Sequence, residues 1–272
     1  MRDSRVCFPA TVETGRHLGF AQTSERKLPS FLLIKDVCLD YCGHRRGVNL
    51  LSERSSRGLT IIFVSKQMAP SYKLTYFKSR GIAEPTRYLL AYLGQDFKEI
   101  RLDSDAWRSM KSNTPFGKLP ILEIDGKVVH QSLAINRYLA RKAGLIGKND
   151  WEMLKIDMIV ETLSDLMALI RAYHQEPDES VKARKYRELE EIFPFYYARL
   201  EEHVRRNNNY FVNGTLSLAD IQFVGLQDLV RYTLKRDLVN NYQHLKNLTN
   251  KVRSIPSIRA YSEKRPASEY YN

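Results

Sequence analysis

At 272 residues, 43% of them hydrophobic, the chain is long enough for one large or two modest domains around a sizeable core. Its net charge of +12 favours anionic partners, yet no run of like charge marks a nucleic-acid-binding arm, and no apolar stretch approaches the ~18 residues that span a membrane. The three cysteines, Cys7, Cys38 and Cys42, all precede Met68, which leaves the main body without a disulfide scaffold or a cysteine nucleophile; their spacing completes no zinc set either.

Residues 1–67 show no sustained periodicity. Their apolar pieces, 31–34 and 59–64, are short and set among Arg, Ser and Gly. No basic segment runs directly into an apolar one, so they do not read as a secretory signal. The expectation is a poorly ordered extension over 1–67, outside the mature protein, with Met68 as a natural start.

The pattern becomes regular at Tyr72. Tyr72–Phe77 alternates and is rich in β-formers, which predicts a strand. Ser79-Arg80-Gly81 is a loop. Glu84-Pro85 opens a helix, with Pro in its first turn, and Gly94 closes it. Phe97–Leu102 is a second strand, and 103–114 reads as a loop with a short helix. Ile121–Ile124 and Lys127–His130 flank Asp125-Gly126, the loop type of a two-residue hairpin, because Gly supplies positive φ. Leu119-Pro120 sits just before this hairpin. Pro has no N–H, and an X-Pro bond can be cis, which would hold the Leu119 N–H and C=O toward a ligand. Ser132 is expected to be the N-cap of the next helix. A free helix N-terminus beside an open strand edge suits a carboxylate. A βαβ unit, then a hairpin and a helix, is a thioredoxin-like layout with a mixed sheet.

Residues 144–150 are a Gly-containing linker, and no strand signal follows them. A helix over 151–173 puts Ile156, Ile159, Val160, Leu163, Leu166, Met167 and Ile170 on one face. A second helix is predicted over 181–206, kinked at Pro194. Ser217-Leu218-Ala219-Asp220 fits a capping box that opens a third. Pro256 introduces a last short one. The predicted organisation is a thioredoxin-like α/β domain over 68–144 followed by an all-helical domain over 150–272.

Taken together, Tyr72-Lys73-Leu74-Thr75-Tyr76-Phe77, Arg80-Gly81-x-Ala83-Glu84, Pro115-Phe116-Gly117-Lys118-Leu119-Pro120-Ile121-Leu122 and Gln131-Ser132-x-Ala134-Ile135 resemble the sigma class of cytosolic glutathione transferases. The resemblance covers nearly all of the chain after Met68 and none of residues 1–67. It implies a cytoplasmic homodimer that joins the glutathione thiolate to small apolar electrophiles, a detoxification reaction, with glutathione as co-substrate and no metal. The catalytic residue it implies is Tyr76, whose hydroxyl would donate to the thiol sulfur and lower its pKa. The γ-glutamyl end would lie at Gln131 and Ser132, and the cysteinyl backbone on Leu119 beside cis-Pro120. The glycyl carboxylate would meet Trp107, Lys111 and Lys118, with Gly117 in the same set. Asp165 would reach the glutathione of a partner subunit, although Asp157, Glu161 and Asp165 recur every four residues as a solvated helix stripe does.

Two other activities belong to the same resemblance, a prostaglandin D synthase-type isomerase and a non-catalytic, crystallin-like or ligand-carrying relative. The isomerase carries Arg where this chain has Ile82, Trp where it has Ala172, and three acids where it has Glu161, Ser164 and Asp165. These departures favour the transferase reading. They leave Arg80 to support Tyr76.

Overall fold

The computed structural model describes residues 48–54, 60–66 and 70–268. Ahead of the main unit, β1 (Val48–Arg54) and β2 (Thr60–Lys66) pair antiparallel, with Val48 opposite Lys66 and Arg54 opposite Thr60. The sequence reading assigned no element to these stretches, and the run 60–64, rich in β-branched residues, is the signal it passed over. The rest of the expected extension, 1–47, 55–59 and 67, lies outside the described residues, as do 68 and 69.

Ser71–Asn272 is a compact unit of its own. Its sheet holds β3 (Tyr72–Phe77), β4 (Phe97–Leu102), β5 (Ile121–Ile124) and β6 (Lys127–His130) in the order β4-β3-β5-β6. The β3–β4 pair is parallel and joined through α1 (Glu84–Tyr92); the other pairs are antiparallel. Between β5 and β6, Asp125 and Gly126 take φ of 50° and 80°, as a two-residue hairpin loop requires. After β4, α2 (Ser104–Met110) and a 3-10 turn at Lys111–Asn113 fill the stretch expected to be loop and short helix.

One expectation shifts by a residue. Ser132 is the first residue of α3 (Ser132–Ala143), and the N-cap is Gln131, at φ 71° and ψ 105°, with no side-chain cap bond. Gln131 still serves the helix through its backbone, accepting from the Ile135 N–H at 3.0 Å.

The helical layer holds α4 (Asp150–His174), α5 (Glu179–Arg206), α6 (Leu218–Leu234), α7 (Gln243–Arg253) and α8 (Pro256–Lys264). All seven apolar residues assigned to one face of α4 are buried. α5 runs on through Pro194, whose carbonyl accepts from the Tyr242 hydroxyl at 3.0 Å. Ser217 and Asp220 form the expected reciprocal capping box at the start of α6.

Sheet layer and helical layer share one core, from Leu74, Leu89 and Leu122 to Phe193, Phe223 and Val224. They are also joined by buried charge. Glu84, 1% exposed, pairs with Arg87 at 2.9 Å and with Arg265, and the Tyr261 hydroxyl lies 3.4 Å away. Arg87 reaches on to Glu99 on β4 at 2.6 Å. Asp228 on α6 takes Arg80 at 2.7 Å and Arg265 at 3.3 Å. Burial alone would raise the Asp228 pKa, but Arg80, Arg253 and Arg265 hold its carboxyl below the usual range. Removing one partner of such a pair strands the other charge, a cost of about 3–5 kcal/mol. Beyond α8 the chain returns to the sheet, where the Ala267 carbonyl accepts from Arg101 of β4 at 2.9 Å and Ser268 is buried.

Candidate active site

A cavity of about 610 Å³ opens beside the C-terminal end of β3. Its walls come from five places: β3, the loop after it, the segment from α2 to cis-Pro120, the start of α3, and the inner faces of α4 and α6. Nine of the ten residues expected to form the site line it: Tyr76, Trp107, Lys111, Gly117, Lys118, Leu119, Pro120, Gln131 and Ser132. Asp165 does not. It is exposed on α4, outside this cavity, while Asp157 and Glu161 of the same stripe both pair with Arg137 of α3.

Tyr76 is 8% exposed. Its hydroxyl oxygen accepts from the Ile82 N–H at 3.3 Å. That bond occupies a lone pair and leaves the phenolic proton free to be donated. Burial pushes the Tyr76 pKa up, against the Ile82 N–H and the charges of Arg87 and Arg171, so the hydroxyl keeps its proton at neutral pH. The ring is held edge-on by Phe77, centroids 5.4 Å apart, and Phe77 in turn meets Trp107 at 5.7 Å. Trp107, which a polar neighbourhood marked as cleft wall rather than core, is half-buried on the cavity side.

The backbone at Leu119 is presented by cis-Pro120 at the head of β5. Lys111 and Lys118 are exposed at the cavity, and neither pairs with a carboxylate among the described residues. Across from them, the N-terminus of α3 opens at Gln131 and Ser132. The cavity thus presents two ammonium groups, a helix N-terminus, a strand edge and a hydroxyl that holds its proton. These suit an anionic, peptide-like molecule with one group placed against Tyr76.

Arg80 does not support Tyr76 as expected. It is committed to Asp228, and the guanidinium over the Tyr76 ring, 5.7 Å from its centroid, is that of Arg87. Sequence reasoning named Gly81 and Ile82 without their contacts to Tyr76, and missed Arg171, His174 and Gln175. A Cβ built on Gly81 would meet the Tyr76 hydroxyl at 2.5 Å. Ile82 acts through its backbone, which no side-chain pattern reports. Arg171, His174 and Gln175 reach the cavity from the end of α4. Among the described residues, no group of three or more His, Cys, Asp or Glu is placed to hold a metal.

Comparison with known proteins gives the family. Family profiles described as glutathione S-transferase, N-terminal domain, and glutathione S-transferase, C-terminal domain, match residues 72–141 and 164–265. Glutathione S-transferase S1 of Drosophila melanogaster is 40% identical over 200 residues, 73% of this chain and 80% of that protein. Hematopoietic prostaglandin D synthase of Gallus gallus is 40% identical over 199 residues, 72% of this chain and 98% of that one. The solved structure of prostaglandin synthase D of Nilaparvata lugens, 41% identical, superposes with a TM-score of 0.70, covering 72% of this chain and 99% of the other. A hookworm relative, Na-GST-3 of Necator americanus, described as monomeric, is 29% identical with a TM-score of 0.61 and covers 74% and 100%.

Proposed function

The chain belongs to the glutathione S-transferase family, and we propose that it is a sigma-class enzyme in which Tyr76 activates the thiol of glutathione for attack on apolar electrophiles. The observation that carries this is the state of the Tyr76 hydroxyl, which accepts from Ile82, keeps its proton and faces a cavity built for an anionic peptide. An ordinary thiol, with a pKa near 8.5, is only a few per cent thiolate at pH 7. A hydroxyl donating to sulfur favours the charged form, and a fall of ~1–2 pKa units makes thiolate a large fraction. The thiol proton leaves to solvent. The sulfur then forms a bond to the electrophilic carbon, and the leaving group departs with its electron pair.

In this reading Lys111, Lys118 and the Trp107 indole take the glycyl carboxylate. The Leu119 backbone pairs with the cysteinyl unit, and Gln131, Ser132 and the α3 N-terminus hold the γ-glutamyl end. The apolar wall of Ile82, Met167, Ile170 and Leu229 receives the electrophile. No described helix is long and apolar enough to cross a membrane. A cytoplasmic, detoxifying role is the one the family resemblance implies. A homodimer is the expected assembly. Val128 and Tyr138 on β6 and α3, and Trp151, Leu154 and Met158 along α4, are large, apolar and exposed, the kind of surface a partner covers. In that assembly Asp165, exposed on α4, is the residue expected to meet the second copy's glutathione.

The first test is Tyr76→Phe. Its kcat/KM at pH 7 falls about 8- to 25-fold, the change in thiolate fraction as the thiol pKa returns from about 7.5 or 6.5 to near 8.5. The loss shrinks toward pH 9 as the thiol ionises by itself, and the glutathione KM stays within about two-fold because the peptide ends are untouched. A wild-type rate in the variant overturns Tyr76 as the activating group. The hematopoietic prostaglandin D synthase of Gallus gallus is as similar, at 40% identity, as the Drosophila transferase. Product analysis with prostaglandin H2 separates the isomerase reading, against which Ile82 and Ala172 weigh.

A further inference from the structure

Among the described residues, three basic side chains line the cavity, Lys111, Lys118 and Arg171, and no Asp or Glu does. Under the transferase reading, Lys111 and Lys118 are committed to the glycyl carboxylate, and the α3 N-terminus answers the γ-glutamyl carboxylate. Arg171 is left over. It stands on the last turn of α4 next to the apolar wall, close enough for its charge to act on Tyr76, and it has no carboxylate partner among the described residues.

A cation at a helix C-terminus complements the helix dipole wherever it points. Two features make Arg171 more than that. It faces into the cavity, and its neighbour there cannot share the load. His174 lies one turn on, 3.0 Å from the Thr233 hydroxyl. That hydroxyl already donates to the Leu229 carbonyl at 2.9 Å, so the imidazole Nε2 is the donor between them. The ring also stacks on Tyr232, 5.9 Å between centroids and 19° between planes. Burial, then the charges of Lys182 and Lys235, holds its pKa below the ordinary value, so His174 is neutral at pH 7 and offers an acceptor at Nδ1.

We propose that Arg171 is a specificity-determining residue, and that the preferred second substrates are electrophiles with an apolar body and a carboxylate, the body lying on Ile82, Met167, Ile170 and Leu229 and the carboxylate on the Arg171 guanidinium. The inference rests on the transferase reading and narrows its substrate class. A guanidinium pairs with a carboxylate through two parallel hydrogen bonds, a geometry a lysine does not reproduce. Because Arg171 is exposed, the preference weakens as salt is added.

The probes are 4-chloro-3-nitrobenzoate and its neutral amide, 4-chloro-3-nitrobenzamide. In both, the thiolate sulfur forms a bond to the ring carbon that carries chlorine, the carbon–chlorine bond breaks, and chloride leaves with the electron pair. The readout is the ratio of kcat/KM for acid over amide, which cancels any effect of Arg171 on the thiolate itself. Arg171→Met lowers that ratio about three- to ten-fold, and Arg171→Lys restores part of it. Calorimetry with the two preformed glutathione conjugates gives the same preference without turnover. An unchanged ratio in Arg171→Met, or equal affinity of wild type for the two conjugates, overturns the proposal. Conjugates that bind with the expected preference but no turnover of either probe overturn the catalytic reading and leave this one standing. Failure of both conjugates to bind overturns both.

Discussion

The position of the Tyr76 hydroxyl depends on a residue that does not line the cavity. Gly81 has φ +47°, and a methyl group on it would lie 2.5 Å from the Tyr76 hydroxyl and 3.0 Å from the ring edge. Backbone on one side and phenol on the other leave room for hydrogen only. Gly81→Ala therefore displaces the ring, breaks the Ile82 N–H bond, and adds a left-handed alanine at a cost of about 1–2 kcal/mol. Its kcat falls about ten-fold or more while the glutathione KM stays within about two-fold, and the melting temperature drops by several degrees. Wild-type kcat in that variant would show that the ring has slack the structure does not give it. Sequence reading placed Tyr76 among the cavity-lining residues because a strand and a set of spaced motifs framed it. It filed Gly81 as loop, since nothing in Arg80-Gly81-Ile82 announces which ring lies against the glycine. It likewise placed Arg80 beside Tyr76, because neighbours in sequence are easy to pair and Asp228, 148 positions on, is not.

Elements were legible where local chemistry decides them. Period-two alternation marked β3, the 3.6 period marked the buried face of α4, and Ser217 with Asp220 marked the start of α6. The start of α3 slipped by one residue because Gln131 caps through a positive-φ backbone rather than a side chain. The Asp220 cap has a cost that composition hides. Its carboxylate accepts from the Phe211 N–H at 2.9 Å, and from the Ser217 N–H and hydroxyl at 2.7 Å each. Burial nonetheless pushes its pKa up to about 6. Below pH ~4 the group is protonated folded or unfolded. Between ~4 and 6 the unfolded chain releases the proton and the folded chain keeps it, so stability falls as pH rises and the loss is complete above the folded pKa. Asp220→Asn has no such titration and costs cap bonds at every pH. The stability gap between wild type and variant, from urea midpoints, should narrow by roughly 2 kcal/mol from pH 4 to pH 7. A gap that widens would mean that the three donors win over burial and hold the carboxylate ionised.

At the scale of the whole molecule, Ser71–Asn272 carries a complete sheet, a shared core and the whole cavity. A relative is matched over 98% of its length by 72% of this chain. We expect a protein starting at Met68 to fold, to turn over glutathione at the full chain's rate, and to scatter light as a dimer at micromolar concentration. Insolubility or lost turnover would make the first 67 residues structural. Monomer mass would place the chain with the hookworm protein described as monomeric and remove any role for Asp165 across an interface.

The buried pair of Glu84 and Arg265 gives the order of synthesis a consequence. The two residues are 181 positions apart, and at about 5–20 residues per second the ribosome adds the second roughly ten to forty seconds after the first. Through that interval α1 can form and β3 can find β4, but Glu84 cannot be withdrawn from water with Arg87 as its sole partner and Arg87 shared with Glu99. The strand edge at β4 also waits, since the Ala267 carbonyl that takes Arg101 emerges later still. Full pairing of the buried Glu84 carboxylate therefore waits for the chain just beyond α8. A translation pause anywhere before Arg265 prolongs the time for which Glu84 lacks this partner.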